Sequence, residues 1–162
     1  MVQIKRAYEV PARRDGYRVL IDRLWPRGVR KEALALDAWA KELAPSDRLR
    51  RWFGHDPDRW RDFTTRYRRE LRAPAAQAVL ADLAARAASG GVTIVYGARD
   101  EVHNDAVVVR REIERRMRAR SGARRRKGLM GAAATRGGIR RRRGRPRRGR
   151  REDRVDRRTW PR

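Results

Sequence analysis

Apolar positions in this chain follow two periods, and the switches between them mark out the elements. Val2-Gln3-Ile4-Lys5 alternates with period two and predicts a short first strand. Pro11 to Gly16 is a polar turn. Tyr17 to Asp22 then carries apolar side chains on consecutive positions, as a strand covered on both faces does. Pro26 and Gly28 break the chain. Asp37 is placed to cap a helix bearing Trp39, Ala40 and Leu43, which stops at Pro45. Ser46 caps a short helix holding Leu49, Trp52 and Phe53, with Gly54 at its end. Asp56-Pro57 combines a side-chain cap with a proline at the first helical position. The helix it starts sets Trp60, Phe63, Tyr67 and Leu71 on one face. Pro74 opens a further stretch with Val79, Leu80, Leu83 and Ala87, closed by Ser89-Gly90-Gly91. Val92 to Tyr96 predicts a second buried strand, and Asn104 or Asp105 caps a last helix with Ala106, Val109, Ile113 and Met117 on its stripe.

Strand, helices, strand, helix is the order of an α/β fold, here a small layered domain with a short parallel sheet and several helices. A right-handed crossover points the two buried strands the same way, so their carboxyl ends share one edge of the sheet. After Met117 the pattern becomes wholly charged. The folded domain is therefore expected over residues 1–120, followed by a disordered, Arg-rich C-terminal tail over residues 121–162.

Charge sharpens that division. The 162 residues carry a net charge of +25. Residues 121–162 hold 18 basic and 3 acidic side chains, a net of +15, which leaves +10 for residues 1–120. Arginine outnumbers lysine 41 to 4. A GC-rich coding sequence produces that bias, so the tail reads either as a selected module or as a frame-shifted extension. With no cysteine, disulfides, thiolate metal sites and cysteine nucleophiles are excluded. No apolar run approaches the roughly 20 residues that span a bilayer. The expected location is cytoplasmic.

The two buried strands end in similar chemistry. Asp22-Arg23-Leu24-Trp25-Pro26-Arg27-Gly28 follows the first, and Gly97-Ala98-Arg99-Asp100-Glu101-Val102-His103-Asn104 follows the second. Open α/β sheets place ligands at such ends. Arg23, Arg27 and Arg99 offer guanidinium forks suited to phosphate or carboxylate, and the start of the last helix at Asn104 adds its amides. Trp25 is placed to stack on a planar ring. His103 beside Asp100, together with Asp22, supplies candidate acid–base groups. The competing arrangement is structural, with Asp22 paired to Arg99 and Arg23 to Asp100. His55, beside Asp56, reads as part of a cap.

Four stretches resemble the YeaO-like family of uncharacterised bacterial proteins, in the same order and over about residues 1–117. They are Asp22 to Gly28, Trp52-Phe53-Gly54-His55-Asp56-Pro57, Arg66-Tyr67-Arg68-Arg69-Glu70-Leu71, and Ala98-Arg99-Asp100 with His103-Asn104. The resemblance implies a compact cytoplasmic α/β domain. It implies no activity, because that family is a domain of unknown function.

No phosphate-binding Gly-Lys-Ser/Thr loop, dinucleotide Gly-x-Gly-x-x-Gly or Gly-x-Ser-x-Gly elbow occurs, which disfavours ATP hydrolysis, nicotinamide chemistry and serine hydrolysis of that type. Two histidines without cysteine give no diagnostic metal spacing, and no cofactor is named by the sequence. The leading functional expectation is an anionic small molecule bound at the strand ends, with acid–base catalysis left open. The alternative is nucleic-acid binding or regulation through the tail. There Arg143-Gly144-Arg145-Pro146 looks like an AT-hook, whose arginines enter the narrow minor groove of A·T-rich DNA.

Overall fold

The computed structural model describes residues 1–136. Met1–Arg126 forms one compact unit. Four parallel strands make its sheet: β1 (Val2–Arg6), β2 (Tyr17–Leu20), β3 (Ala38–Trp39) and β4 (Val92–Tyr96), in the order β1-β4-β2-β3. The helices are α1 (Lys31–Leu34), α2 (Asp47–Phe53), α3 (Trp60–Glu70), α4 (Pro74–Ser89) and α5 (Asp105–Arg136). β4 lies centrally, with Val19 opposite Ile94 on one side and Ile4 opposite Ile94 on the other. Every residue of β4 is buried, which is why apolar side chains occupy both faces of the strand, with Thr93 the one polar exception.

The two faces of the sheet are covered unequally. Val19, Ile21, Val92, Ile94 and Tyr96 join the main core with Phe53, Phe63, Tyr67, Leu80, Leu83, Val109 and Ile113. Leu20 and Val95 point the other way, against Ala7, Leu34, Trp25, Val29 and Leu36. That second face is covered by Ala7, the segment after β2 and the single turn of α1. Below it the cover is ionic. Asp15 and Arg18 are both buried and paired, and Lys5 Nζ donates to Asp15 Oδ1 at 3.0 Å. Thr93 Oγ1 donates to the Asp15 carbonyl at 2.6 Å. The turn into β2 needs Gly16 (φ +63°), because a Cβ there would sit 2.4 Å from the Gly91 carbonyl oxygen.

The caps read from the sequence are in place. Ser46 Oγ accepts from Leu49 N at 3.2 Å, and Gly54 ends α2 in the left-handed conformation. Asp56 Oδ1 accepts from Asp58 N at 3.0 Å, before a 3-10 turn that leads into α3. Asn104 Oδ1 accepts from Val107 N at 3.1 Å, so Asn104 caps α5 and Asp105 is its first residue.

Asp37 differs from expectation. It caps no helix: its carboxylate accepts from Arg18 N at 2.7 Å, and its own N–H donates to the Arg18 carbonyl at 2.9 Å. Ala38 and Trp39 then form the edge strand, and only Lys41–Leu43 turns helically, as a 3-10 turn. Open backbone groups on β2 compete successfully with a weak local helix signal. α1 has no counterpart in the sequence pattern, since Pro26 and Gly28 mask a helix this short. Helix α5 continues to Arg136, past the end of its apolar stripe at Met117, in a sequence rich in Ala and Arg, which favour helix. The AT-hook-like residues Arg143, Gly144, Arg145 and Pro146 lie outside the described residues. No helix among the described residues is long and apolar enough to cross a membrane.

Candidate functional site

The parallel register brings the carboxyl ends of β1, β2 and β4 to one edge, and a cavity of about 270 Å³ opens there. β1 contributes Tyr8 just past its end. β2 contributes Asp22, Arg23, Trp25 and Arg27, and β4 contributes Gly97 and Ala98. Helix α2 and the turn after it add Arg50, Phe53 and His55; α3 adds Phe63, and the start of α5 adds Asn104 and Asp105.

Two hydrogen bonds fix Asp22. Its Oδ2 accepts from Gly97 N at 2.7 Å. Its backbone carbonyl accepts from Trp39 Nε1 at 2.6 Å, and Trp39 packs edge-on against Trp25 with centroids 5.3 Å apart. The close approach depends on glycine at position 97, where a Cβ would lie 2.8 Å from Asp22 Oδ2. Burial, and then repulsion from Asp105, push the Asp22 carboxyl from its ordinary 3.8 up to about 7, against the Gly97 hydrogen bond and the Arg50 charge. Asp105 is raised as well, chiefly by burial, while hydrogen bonds to Ala106 N and its own N, and the charges of His55 and Arg50, oppose the rise. Two carboxyl groups therefore share the interior of the cavity and compete for ionisation.

Positive charge stands at the mouth. Arg23, Arg27 and Arg50 are exposed. Arg23 Nε and Arg50 Nη2 lie 3.9 Å and 3.1 Å from Asp47 Oδ1, an exposed carboxylate on α2. Exposed pairs of this kind contribute little and exchange partners readily. His55 adopts φ +58°, a left-handed conformation, at the turn between α2 and the following 3-10 segment.

Of the residues singled out in the sequence, Asp22, Arg23, Trp25, Arg27 and Asn104 line the cavity. Asn104 does so as a spent residue, because its amide donates to the Asp100 carbonyl at 2.8 Å while its oxygen caps α5. Trp25 presents its ring, with its Nε1 donating to Val29 O at 2.7 Å. Arg99, Asp100 and His103 fall outside the lining. Asp100 accepts from Val102 N, His103 N and His103 Nδ1, which hold its carboxyl below the ordinary range and fold the loop on itself. The His103 ring packs edge-on against Trp60 with centroids 5.3 Å apart. Neither of the alternative pairings, Asp22 with Arg99 or Arg23 with Asp100, occurs among the ion pairs of the described residues.

Residues 1–128 match the family described as the "Inactive DUF488-N3 subclade". The chain belongs to this family. Its relatives include an uncharacterised protein of Mycobacterium tuberculosis, 41% identical over 108 residues, which cover 67% of this chain and 89% of that protein. A Mycobacterium bovis protein, also uncharacterised, is similar to the same extent. The uncharacterised protein YeaO of Escherichia coli is 39% identical over 109 residues, 67% of this chain and 92% of its own length. No solved structure matches the chain significantly. The YeaO-like resemblance thus rests on the folded region that contains the cavity.

In this family member, sequence reasoning missed Arg50, Asp105, Phe53, Phe63 and Tyr8 as lining residues, and read His55 as a cap. The available signal was the Trp52-to-Pro57 motif, whose Gly54-His55 pair turns α2 back over the strand ends. Among the described residues no group of three or more His, Asp or Glu side chains is placed to hold a metal ion.

Proposed function

We propose that this domain binds an anionic small molecule in the cavity at the carboxyl ends of its strands. The observation that carries the reading is the convergence of Arg23, Arg27 and Arg50 at the mouth of a cavity with apolar aromatic walls. Guanidinium groups recognise phosphate and carboxylate through paired hydrogen bonds. The N-terminal end of α5, a long helix, adds positive potential to the same edge.

Binding without turnover is the form of this reading that the observations favour. His103, the candidate for proton transfer in the sequence, lies against Trp60 and outside the cavity. The family's description includes the word "inactive", which agrees with a ligand-binding role. Should proton exchange accompany binding, Asp22 is the group poised for it, with a pKa of about 7.

A titration of the full chain with inorganic phosphate, followed by thermal shift, tests the proposal. Arg50→Ala is expected to weaken binding by about tenfold or more, as loss of a charged hydrogen-bond donor does. Asp47→Asn is expected to act in the opposite sense. It frees Arg23 and Arg50 from their exposed partner, and affinity rises by about two- to fivefold. Unchanged phosphate affinity in both variants would reject the site.

A further inference from the structure

We propose that the ligand of this cavity is a guanine nucleotide, held base first, with the N1–N2 edge of guanine on Asp22 and Asp105 and the phosphate at Arg23 and Arg50. The inference rests on the anionic-ligand reading and specifies the rest of the molecule.

An anion alone does not explain the interior. A simple phosphate seated deep in the cavity would face two carboxyl groups that already repel each other. Burial disfavours the ionised form of both groups, and hydrogen-bond donors brought by a ligand restore it, since an ionised carboxylate accepts hydrogen bonds and donates none; the interior therefore suits N–H donors. Each of the two has one oxygen already engaged: Asp22 Oδ2 by Gly97 N at 2.7 Å, and Asp105 Oδ1 by Ala106 N at 3.0 Å. Among the described residues no other residue donates to the remaining oxygen of either carboxyl, which leaves two acceptors for an incoming group. Guanine presents adjacent donors, its N1–H and its exocyclic amine, to such a pair.

Size and wall chemistry point the same way. A volume of about 270 Å³ falls just below the usual range of small-molecule pockets, roughly 300–1,000 Å³, so the cavity encloses one ring system and leaves the remainder of the ligand outside. Phe53 and Phe63, stacked on each other with centroids 4.3 Å apart, supply apolar wall for a flat ring. The sugar and phosphate then emerge at the mouth, where the guanidinium groups stand.

Calorimetric titration of the full chain with GMP, IMP, guanosine and inorganic phosphate tests this. IMP differs from GMP by the exocyclic amine alone, so the nonspecific attraction of a basic chain for phosphate cancels in the comparison. GMP is expected to bind about tenfold or more tightly than IMP, because IMP leaves a carboxylate oxygen without its donor. GMP is also expected to bind more tightly than guanosine, which lacks the phosphate. Asp105→Asn and, independently, Asp22→Asn are expected to abolish the preference for GMP over IMP. Equal affinities for GMP and IMP, or a preference that survives in both variants, would overturn the guanine assignment. If phosphate binds and responds to Arg50→Ala while GMP shows no preference, only this inference fails. If neither phosphate nor any nucleotide binds in a manner sensitive to Arg50, the anionic-ligand reading fails with it.

Discussion

Asp22→Asn is expected to make the protein more stable at pH 8, by a few kcal/mol, and to leave stability near pH 4 almost unchanged. The carboxyl of Asp22 titrates at about 7 in the folded chain instead of 3.8. Between those values the native state holds a proton that the unfolded chain has released, so stability falls as pH rises across that window. A pKa difference of one between the folded and unfolded chain is equivalent to about 1.4 kcal/mol. The ceiling for Asp22 is therefore ~4 kcal/mol, and coupling to Asp105 lowers the realised gain. Asparagine retains an oxygen for the Gly97 N–H and removes the charge. Denaturant unfolding of both proteins at pH 4, 6 and 8 measures the effect. A variant less stable than the parent at pH 8 would show that attractions to the carboxylate outweigh its burial.

Asp15→Ala is expected to destabilise the fold by about 3–5 kcal/mol, because it leaves a buried guanidinium without its counter-charge. Arg18 is almost fully buried, donates through Nε to the Leu34 carbonyl at 3.0 Å, and has Nη2 buried without a partner even in the parent chain. The substitution also removes the acceptor for Ala12 N and for Lys5 Nζ. Burial opposes the charge on Asp15, but the Ala12 N–H, Lys5 and Arg18 together hold its carboxyl below the ordinary range. Its contribution is therefore present above about pH 4 and is lost as pH falls through the lowered value. The two carboxylates thus act in opposite senses: neutralising Asp15 weakens the fold, and neutralising Asp22 strengthens it. A loss below about 1 kcal/mol for Asp15→Ala in denaturant unfolding would mean that the thin face of the sheet does not depend on this ionic cluster.

The sequence carried the buried strands, the caps at Ser46, Asp56 and Asn104, and the alignment of strand ends, because each rests on local spacing or on a single turn residue. The edge strand at Ala38–Trp39 was not legible, since its signal is the unpaired backbone of β2, distant in sequence. The site divided in the same way. Asp22, Arg23, Trp25 and Arg27 follow a strand directly and were readable as a strand end. Arg50 is one arginine among several on a helix surface, and only the turn at Gly54-His55 folds that helix over the cavity. Asp105 carried a local role at a helix start, which hid its place beside Asp22. His103 misleads for the converse reason: a histidine beside an aspartate in a polar loop has the same local pattern whether it faces a ligand or closes its own turn.

The most direct test of an anion site at the strand ends is where phosphate perturbs the backbone amides of the full-length protein in a two-dimensional 1H–15N spectrum. The cavity account predicts saturable shifts concentrated at Arg23, Arg27 and the turn at Gly54-His55, all weakened in Arg50→Ala. Shifts confined to residues beyond 120, with the strand-end amides unmoved, would contradict it and transfer the anion affinity to the basic C-terminal segment.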